Sequence, residues 1–192
     1  PKSNLASMGI YIFNYKTLRK HLVEDAKIEN SDHDFGKNII PSYINAGLKL
    51  QAYRFKGYWK DVGTISSLWE ANMDMLDEGN SLDIFDPSWK IYTDDGAHVP
   101  QVIGDKAEVS NSMVTQGAIV NGKVKHSVIF TGAKIEEGAQ VKDSVVMNNV
   151  VVGKGAKLEK CLVMDGVKIP AGTTLKGKDD DVLLVTNKIA KG

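Results

Sequence analysis

A four-residue pattern that recurs in the second half of the chain constrains its fold more than any other feature. Each copy has an aliphatic residue, two polar residues and then Ser or Cys, and two apolar residues follow it. The copies recur at offsets of 15, 17 and 17 residues, at Val109–Ser112, Val124–Ser127, Val141–Ser144 and Leu158–Cys161. A short repeat of this kind predicts a stack of equivalent coils in which each coil packs on its neighbours.

Glycine and asparagine stand at fixed positions in the same repeat. Five residues after each Ser or Cys come Gly117, Gly132, Asn149 and Gly166. Six residues further on, the last three copies have Gly138, Gly155 and Gly172. These residue types adopt positive φ at low steric cost, so they predict tight corners.

Aliphatic residues in the last three copies are six residues apart, which predicts one inward side chain on each face of a three-sided coil. Hexad spacing with tight corners favours a left-handed parallel β-helix. Val124 follows Val120 by only four residues, so one corner of the first copy is expected to be shortened. Cys161 replaces the Ser of the other copies, and we expect it to be a small structural residue.

The first half of the chain predicts strands and helices in alternation. Ile10–Phe13 and Leu48–Phe55 are rich in β-branched, aromatic or alternating apolar residues and predict strands. Three helices are expected to begin after the caps Asn14, Asp34 and Thr64. Gly79 marks the expected end of the third helix. This order is typical of an α/β domain, although the segment is too small to cover both faces of a sheet.

We predict three regions: an α/β part at residues 1–79, a linker at residues 80–101, and a β-helix with a C-terminal tail at residues 102–192. The linker is expected to pack against its surroundings through its large apolar side chains, which are Phe85, Trp89, Ile91 and Tyr92.

Composition excludes several classes of protein. The 24 basic and 24 acidic residues cancel, so no net charge attracts nucleic acid or an anionic membrane. No apolar run reaches the length of a membrane span. The only cysteine, Cys161, predicts a reducing compartment such as the cytoplasm. The chain begins at Pro1 without a signal peptide, and we expect it to be the C-terminal part of a longer protein.

The stretch Gly57–Thr64 is the candidate site. It places Tyr58, Trp59, Lys60 and Asp61 between glycines, which let a ligand approach the backbone closely. A carboxylate in such a place is a candidate metal ligand. The alternative is that Asp61 caps the third helix, but Thr64 is better placed for that role.

Several motifs in this order resemble the C-terminal half of bacterial glucose-1-phosphate adenylyltransferases. They are Leu5–Phe13, Asp34–Pro41, Gly57–Thr64, Trp69–Met75 and the β-helix. The resemblance covers essentially the whole chain. It implies a Rossmann-like α/β fragment of a nucleotidyltransferase domain followed by the left-handed parallel β-helix. It also implies synthesis of ADP-glucose and pyrophosphate from ATP and α-D-glucose 1-phosphate, as a step of glycogen synthesis. The enzyme implied is Mg²⁺-dependent and allosteric, and it is a homotetramer or a heterotetramer with a paralogue.

The resemblance also implies roles for individual residues. Asp61 matches the metal-binding, catalytic aspartate. Residues implied to bind glucose 1-phosphate are Ser7, Tyr11, Asp34 and Trp59. Structural alternatives stay open: a core aromatic for Tyr11, a helix cap for Asp34 and core packing for Trp59. Lys60 could neutralise phosphate, but a solvated side chain is the preferred interpretation.

The motifs of the family are not all present in the 192 residues. We find no Gly-rich nucleotide loop, second metal carboxylate or sugar-phosphate lysine, so we expect the chain alone to be inactive. One alternative is a hexapeptide-repeat acyltransferase, which would need a histidine at a coil corner. His126 aligns with Asn111, Asp143 and Lys160, and this variability predicts a surface position, which argues against a catalytic histidine. The other alternative is a non-catalytic regulatory or assembly subunit of the same family.

Overall fold

The computed structural model describes residues 3–79, 81–90, 92, 96–178 and 181–190. Its internal contacts divide the chain into two compact units, Pro1–Lys56 and Gly57–Gly192. The described residues include no helix that is both long and apolar enough to cross a membrane. The division into regions that we infer from the sequence, at residues 79/80 and 101/102, stays a prediction.

The first unit contains the first two predicted helices. Helix α1 spans Tyr15–Asp25, and its cap Asn14 accepts a hydrogen bond from the Thr17 N–H at 3.4 Å. A π-helical segment at Phe35–Ile39 follows the cap Asp34 and continues directly into helix α2 at Ile40–Asn45. Asn14 and Asp34 are therefore confirmed as caps.

The two strands predicted for the first unit are not formed. Ile10–Phe13 and Leu48–Phe55 lie outside any strand, and the side chain of Ile12 is fully exposed at 100%. A strand requires the ladder hydrogen bonds of a neighbouring strand, whereas a helix satisfies its own backbone. No ladder reaches these segments within the described part of this unit, so the strand predictions are wrong here.

Helix α3 begins the second unit and spans Ile65–Met73. Thr64 caps it, and Ser67 completes a reciprocal capping box with Thr64. The helix ends six residues before Gly79, contrary to the prediction, and residues 74–79 form turns. These turns place Met75 and Leu76 against the β-helix, so packing overrides the helical pattern.

The linker does not pack as predicted. The side chains of Phe85, Trp89 and Tyr92 are exposed by 81%, 80% and 84%, and Ile91 lies outside the described residues. Residues 81–90 instead form local turns. In these turns the carboxylates of Asp83 and Asp86 accept hydrogen bonds from the backbone N–H groups of Phe85 and Ser88, respectively. Large apolar side chains alone do not create a packing partner, so this prediction is wrong.

The rest of the second unit is the predicted parallel β-helix, built from three five-stranded parallel sheets. The first sheet contains β1 Val102–Ile103, β4 Ile119–Val120, β7 Lys134–Ile135, β10 Val151–Val152 and β13 Lys168–Ile169. The second contains β2 Glu108–Ser110, β5 Lys123–Lys125, β8 Gln140–Lys142, β11 Lys157–Glu159 and β14 Thr174–Lys176. The third contains β3 Met113–Val114, β6 Val128–Ile129, β9 Val145–Val146, β12 Cys161–Val163 and β15 Leu183–Val185.

Equivalent residues of the repeat pair in register, so their aliphatic side chains form ladders through the core. In the first sheet Val120 pairs with Ile135, and Val152 pairs with both Ile135 and Ile169. These four side chains are exposed by 0–2%. The core of the second unit is therefore a stack of small aliphatic layers, as the hexad spacing predicts.

All seven predicted corner residues have positive φ, with Asn149 at 57° among the glycines at 67–76°. The shortened corner is also present. Two residues separate β4 from β5, whereas four separate β7 from β8. Gly122 lies at the shortened corner, where a Cβ atom would come within 2.4 Å of the Ala139 carbonyl oxygen. A side chain there would force the backbone apart.

The Ser or Cys of each copy forms a hydrogen-bonded ladder. The hydroxyl of Ser112 accepts from the Ser127 N–H, that of Ser127 from the Ser144 N–H, and that of Ser144 from the Cys161 N–H, each at 3.1 Å. Cys161 is fully buried, and burial raises the pKa of its thiol to about 11. It is the small structural residue that the repeat predicts, because a protonated buried thiol is a poor nucleophile.

The two apolar residues after each Ser or Cys point to opposite faces of the third sheet. The second of each pair joins the core, as Ile129 and Val146 do. The first of each pair forms a separate cluster outside the sheet, as Val128 and Val145 do, and α3 covers this cluster with Leu68, Trp69 and Met73. The apolar pairs therefore build both the core and the surface on which α3 packs.

Candidate functional site

The carboxylate of Asp61 lies in an exposed loop immediately before α3. Its Oδ1 atom accepts a hydrogen bond from the Gly63 N–H at 2.9 Å. Thr64, rather than Asp61, caps the helix through the Ser67 N–H at 3.1 Å. The capping alternative for Asp61 is therefore excluded, and its role as a metal ligand stays a prediction.

Lys60 anchors this loop to α3. Its Nζ atom lies 2.8 Å from Asp74 Oδ2 and 3.2 Å from Glu70 Oε2, and its side chain is only 25% exposed. The interpretation of Lys60 as a solvated side chain is therefore wrong. Trp59, which directly precedes Lys60, is 46% exposed, so it is not a core residue.

The hydroxyl of Tyr58 donates a hydrogen bond to Asp74 Oδ2 at 2.7 Å. Burial tends to raise the pKa of Asp74, but hydrogen bonds from Lys60 and Tyr58 outweigh it and lower that pKa. The bond to Asp74 raises the pKa of Lys60 despite its burial. The bonds of Tyr58 and Lys60 to Asp74 fix the backbone on the N-terminal side of Asp61. The helix cap Thr64 fixes the backbone on its C-terminal side.

The sequence did contain a signal for this anchor. Glu70 and Asp74 are four residues apart, so they lie on one face of the predicted third helix. Lys60, the only cation in the glycine-flanked loop, is a suitable ion-pair partner for these two carboxylates. The sequence alone does not show that the loop folds back onto this face of the helix.

Ser7 and Tyr11 lie together in the first unit, where their hydroxyl oxygens are 3.0 Å apart. The Tyr11 ring stacks on Phe35 at a centroid distance of 5.7 Å, and Phe13 packs against both rings. Tyr11 is 37% exposed, so it forms the edge of an aromatic group and keeps its hydroxyl near that of Ser7. The two hydroxyls can both donate and accept hydrogen bonds.

Asp34 directly precedes Phe35, the ring on which Tyr11 stacks. It caps the π-helical segment, because its Oδ1 accepts from the Lys37 N–H at 2.8 Å. The capping alternative is therefore correct, and it leaves the second carboxylate oxygen with further lone pairs. The roles of Ser7, Tyr11, Asp34 and Trp59 in sugar-phosphate binding stay predictions.

Within the described residues there is no group of three or more His, Cys, Asp or Glu side chains that could hold a metal ion. Mg²⁺ does not require such a group, because one or two carboxylates and substrate phosphates commonly hold it. The exposed Asp61 carboxylate is a suitable oxygen donor of this kind.

His126 occupies a third set of corners that lacks glycine. Asn111, His126, Asp143 and Lys160 all have positive φ, from 39° to 53°. The His126 side chain is 23% exposed, so its predicted surface position is only partly open to solvent. Its Nδ1 lies 2.7 Å from Asp143 Oδ1 and its Nε2 lies 3.0 Å from Asp77 Oδ1. Both ring nitrogens are engaged by carboxylates, so neither is available as the base of an acyltransferase.

These contacts connect the residues after α3 to the β-helix. Trp69 adds a hydrogen bond from its Nε1 to the Asp143 carbonyl oxygen at 2.8 Å. Burial opposes the charge on His126, but the hydrogen bonds to Asp143 and Asp77 outweigh it and raise the pKa of His126. Lys142, whose Nζ lies 3.5 Å from Asp143 Oδ2, is a further charge at this corner.

The raised pKa of His126 predicts a pH-dependent contribution to stability. The contribution is complete below the ordinary histidine pKa of about 6.5 and is lost as pH rises through the raised pKa of the folded state. We expect His126→Asn, which tolerates the corner, to lower the free energy of unfolding by about 0.5–1 kcal/mol at low pH and by less at high pH. Urea unfolding between about pH 5.5 and 9 measures this difference.

Asp77→Asn is the matched variant for this experiment, because it removes one of the two carboxylates that hold the histidine. It should reduce the pH dependence of the difference. A stability difference between His126→Asn and the unchanged chain that does not vary with pH would show that the charge of His126 makes no contribution.

Comparison with known proteins gives matches over both units. Residues 1–78 match the nucleotidyl transferase family, and residues 97–182 match the GlmU-like C-terminal hexapeptide family. These matches confirm the predicted order of a nucleotidyltransferase part and a hexapeptide β-helix.

Several curated relatives carry one name. A glucose-1-phosphate adenylyltransferase of Halalkalibacterium halodurans is 54% identical over 188 residues, which are 98% of this chain and 49% of the relative. One of Clostridium acetobutylicum is 60% identical over 135 residues, 70% of this chain and 36% of the relative. One of Fusobacterium nucleatum is 54% identical over 140 residues, 73% of this chain and 36% of the relative. The chain thus spans about a third to a half of the length of these relatives.

Proposed function

Since the chain belongs to the glucose-1-phosphate adenylyltransferase family, we propose that it forms part of an enzyme that makes ADP-glucose and pyrophosphate from ATP and α-D-glucose 1-phosphate. The observation that carries this proposal is the 54% identity over 98% of the chain to a relative of that name. The exposed Asp61 carboxylate, held in a loop that is anchored on both sides, supports it.

In the proposed reaction a phosphate oxygen of the sugar phosphate attacks the α-phosphorus of ATP, and pyrophosphate leaves. No covalent intermediate with the protein is needed, so positioning and charge neutralisation provide the catalysis. The residues of this chain supply the positioning. Lys60 and Thr64 hold the two ends of the Asp61 loop, so its carboxylate needs little rearrangement when the substrates bind.

Asp61 is the residue that would hold Mg²⁺, through the carboxylate oxygen that does not accept from Gly63. Bound there together with ATP phosphates, Mg²⁺ would neutralise the charge that develops on the transferred and leaving phosphoryl groups.

The residues proposed to contact glucose 1-phosphate are Ser7, Tyr11 and Asp34 of the first unit and Trp59 of the second. The adjacent hydroxyls of Ser7 and Tyr11 suit a sugar phosphate, because hydroxyl groups can both donate to phosphate oxygens and accept from sugar hydroxyls. The carboxylate of Asp34 can accept from a sugar hydroxyl, and the half-exposed Trp59 ring offers an apolar face to a sugar ring.

The other properties of the whole protein are proposals of the same kind. They are a cytoplasmic location, a place in glycogen synthesis, allosteric control and assembly into a homotetramer or a heterotetramer with a paralogue.

The sugar side of the proposal can be tested by substrate selectivity. In the whole protein, pyrophosphate release from ATP should require glucose 1-phosphate and should be slower with mannose 1-phosphate or N-acetylglucosamine 1-phosphate. A coupled pyrophosphate assay at equal concentrations of the three sugar phosphates measures this. Release that does not depend on glucose 1-phosphate would contradict the proposal, and no release with any of the three sugar phosphates would favour a non-catalytic subunit.

The 192-residue chain alone should form no ADP-glucose. Its sequence contains no glycine-rich loop that could cradle the phosphates of ATP and no second carboxylate motif of the family. Purified chain incubated with both substrates and Mg²⁺ should therefore release no pyrophosphate above a no-protein control. Measurable ADP-glucose formation by the chain alone would contradict this expectation.

A further inference from the structure

The carboxylate of Asp25 closes the loop between α1 and Asp34. Asp25 is the last residue of α1, and its side chain is only 12% exposed. Its Oδ1 accepts from the Ser31 hydroxyl at 2.7 Å, and its Oδ2 lies 2.8 Å from His33 Nδ1. An ionised carboxylate only accepts hydrogen bonds, so Nδ1 of His33 must carry a proton and donate it. The hydrogen bonds from His33 and Ser31 lower the pKa of Asp25, which keeps it ionised.

His33 is held in a backbone conformation that is uncommon for a residue with a side chain. Its φ is 54°, in the left-handed region. Its N–H donates to the Ser31 hydroxyl oxygen at 3.1 Å while its ring donates to Asp25. Two hydrogen bonds thus fix a turn that would otherwise be costly, and such strain persists only where the surroundings hold it in place.

Asp34 is the next residue, and it is also held from the C-terminal side. Its N–H donates to Asn38 Oδ1 at 3.1 Å, and its Oδ1 accepts from the Lys37 N–H at 2.8 Å. The direction of the Asp34 carboxylate therefore depends on the turn at His33 before it and on the π-helical segment after it.

We propose that Asp25, Ser31 and His33 are positioning residues that fix the Asp34 carboxylate for binding glucose 1-phosphate. The inference rests on the proposed function, because it assigns these residues to the sugar side of that site. In this role Asp25, Ser31 and His33 act on Asp34 through the backbone turn that joins His33 to it, and not by binding the substrate themselves. Their effect should therefore fall on the affinity for the sugar phosphate rather than on ATP.

Two substitutions at His33 separate the hydrogen bond from the backbone conformation. His33→Gly keeps the positive φ without strain but removes the ring donor. His33→Asn also tolerates the left-handed region, and its amide N–H₂ can donate to Asp25. In the whole protein we expect His33→Gly to raise the KM for glucose 1-phosphate about tenfold, with the KM for ATP within about twofold. His33→Asn should restore the KM to within about threefold of the original value.

Asp32→Asn is the control within the same loop. It removes an exposed ion pair with Lys37, whose Nζ lies 3.0 Å from Asp32 Oδ2, and exposed pairs contribute little. Its KM for both substrates should stay unchanged. Equal increases in both KM values for His33→Gly, or no recovery in His33→Asn, would overturn the inference.

A second measurement does not depend on catalysis. The backbone N–H of Lys37 donates a hydrogen bond to the Asp34 carboxylate. In the 192-residue chain, hydrogen exchange at this N–H should be faster in His33→Gly than in His33→Asn. Unchanged Lys37 exchange would overturn the positioning role even if the enzyme is active. Faster exchange in a whole protein that forms no ADP-glucose would instead refute the proposed function, and with it the role in sugar binding.

Discussion

Replacing Asp61 with asparagine in the whole protein is expected to lower the rate of ADP-glucose formation about 10²- to 10³-fold. The amide is neutral, so it loses the charge that would hold Mg²⁺ against the phosphates. Its Oδ1 can still accept from the Gly63 N–H, so the loop should keep its shape. Initial rates at saturating substrates measure the loss, and a thermal unfolding curve should show no shift in midpoint.

Asp83→Asn is the matched control for this substitution. Asp83 also accepts a backbone N–H two residues ahead, from Phe85 at 2.9 Å, but it lies outside the candidate site. It should leave the rate unchanged. An Asp61→Asn protein with unchanged turnover would reduce Asp61 to a residue that only shapes its loop.

The largest effect on stability is expected for Ile135→Ala in the β-helix. Ile135 is 1% exposed and pairs with Val120 and Val152 in the middle of the aliphatic ladder. Removing its side chain from a stack of small layers leaves a cavity, because the ladders on either side hold the coil spacing fixed. We expect a loss of about 2–5 kcal/mol, measured by urea unfolding of the 192-residue chain.

Lys134→Ala tests whether the loss comes from the core. Lys134 is the neighbouring residue of the same two-residue strand, and it points outward and is exposed. It should change stability by less than about 0.5 kcal/mol. Similar losses in both variants would indicate that strand propensity, rather than core packing, stabilises the coil.

The β-helix could be predicted from the sequence because its determinants are local and repeated. Gly117, Asn149 and their equivalents mark corners through a backbone preference that needs no tertiary context. The third set of corners was not predicted, because it lacks this recurring residue type. Asn111, His126, Asp143 and Lys160 share no residue type, so no residue pattern in the sequence marks their positive φ.

The predicted strands of the first unit failed for the opposite reason. Ile10–Phe13 has strand propensity, but a strand exists only where another strand accepts its hydrogen bonds. The helix caps Asn14, Asp34 and Thr64 were correct, because a cap bonds to the backbone of its own helix.

The candidate site shows the same division. Its motif, Gly57–Thr64, could be identified from residue types alone. The anchor that joins Lys60 to Asp74 could not, because fourteen residues separate the partners and only packing of the loop on α3 brings them together. The hydrogen bonds of Asp25 with Ser31 and His33 were not predicted. In a polar loop, residue type alone does not distinguish a side chain that bonds within the loop from one that is solvated.

The identity of the product tests the central proposal most directly. The whole protein should be incubated with radiolabelled glucose 1-phosphate, Mg²⁺ and, in separate reactions, ATP, GTP, UTP or dTTP, and the labelled products separated. We predict ADP-glucose as the main product, with one pyrophosphate released for each molecule formed and none without Mg²⁺. A different nucleotide sugar as the main product, or no nucleotide sugar with any of the four nucleotides, would contradict the proposal.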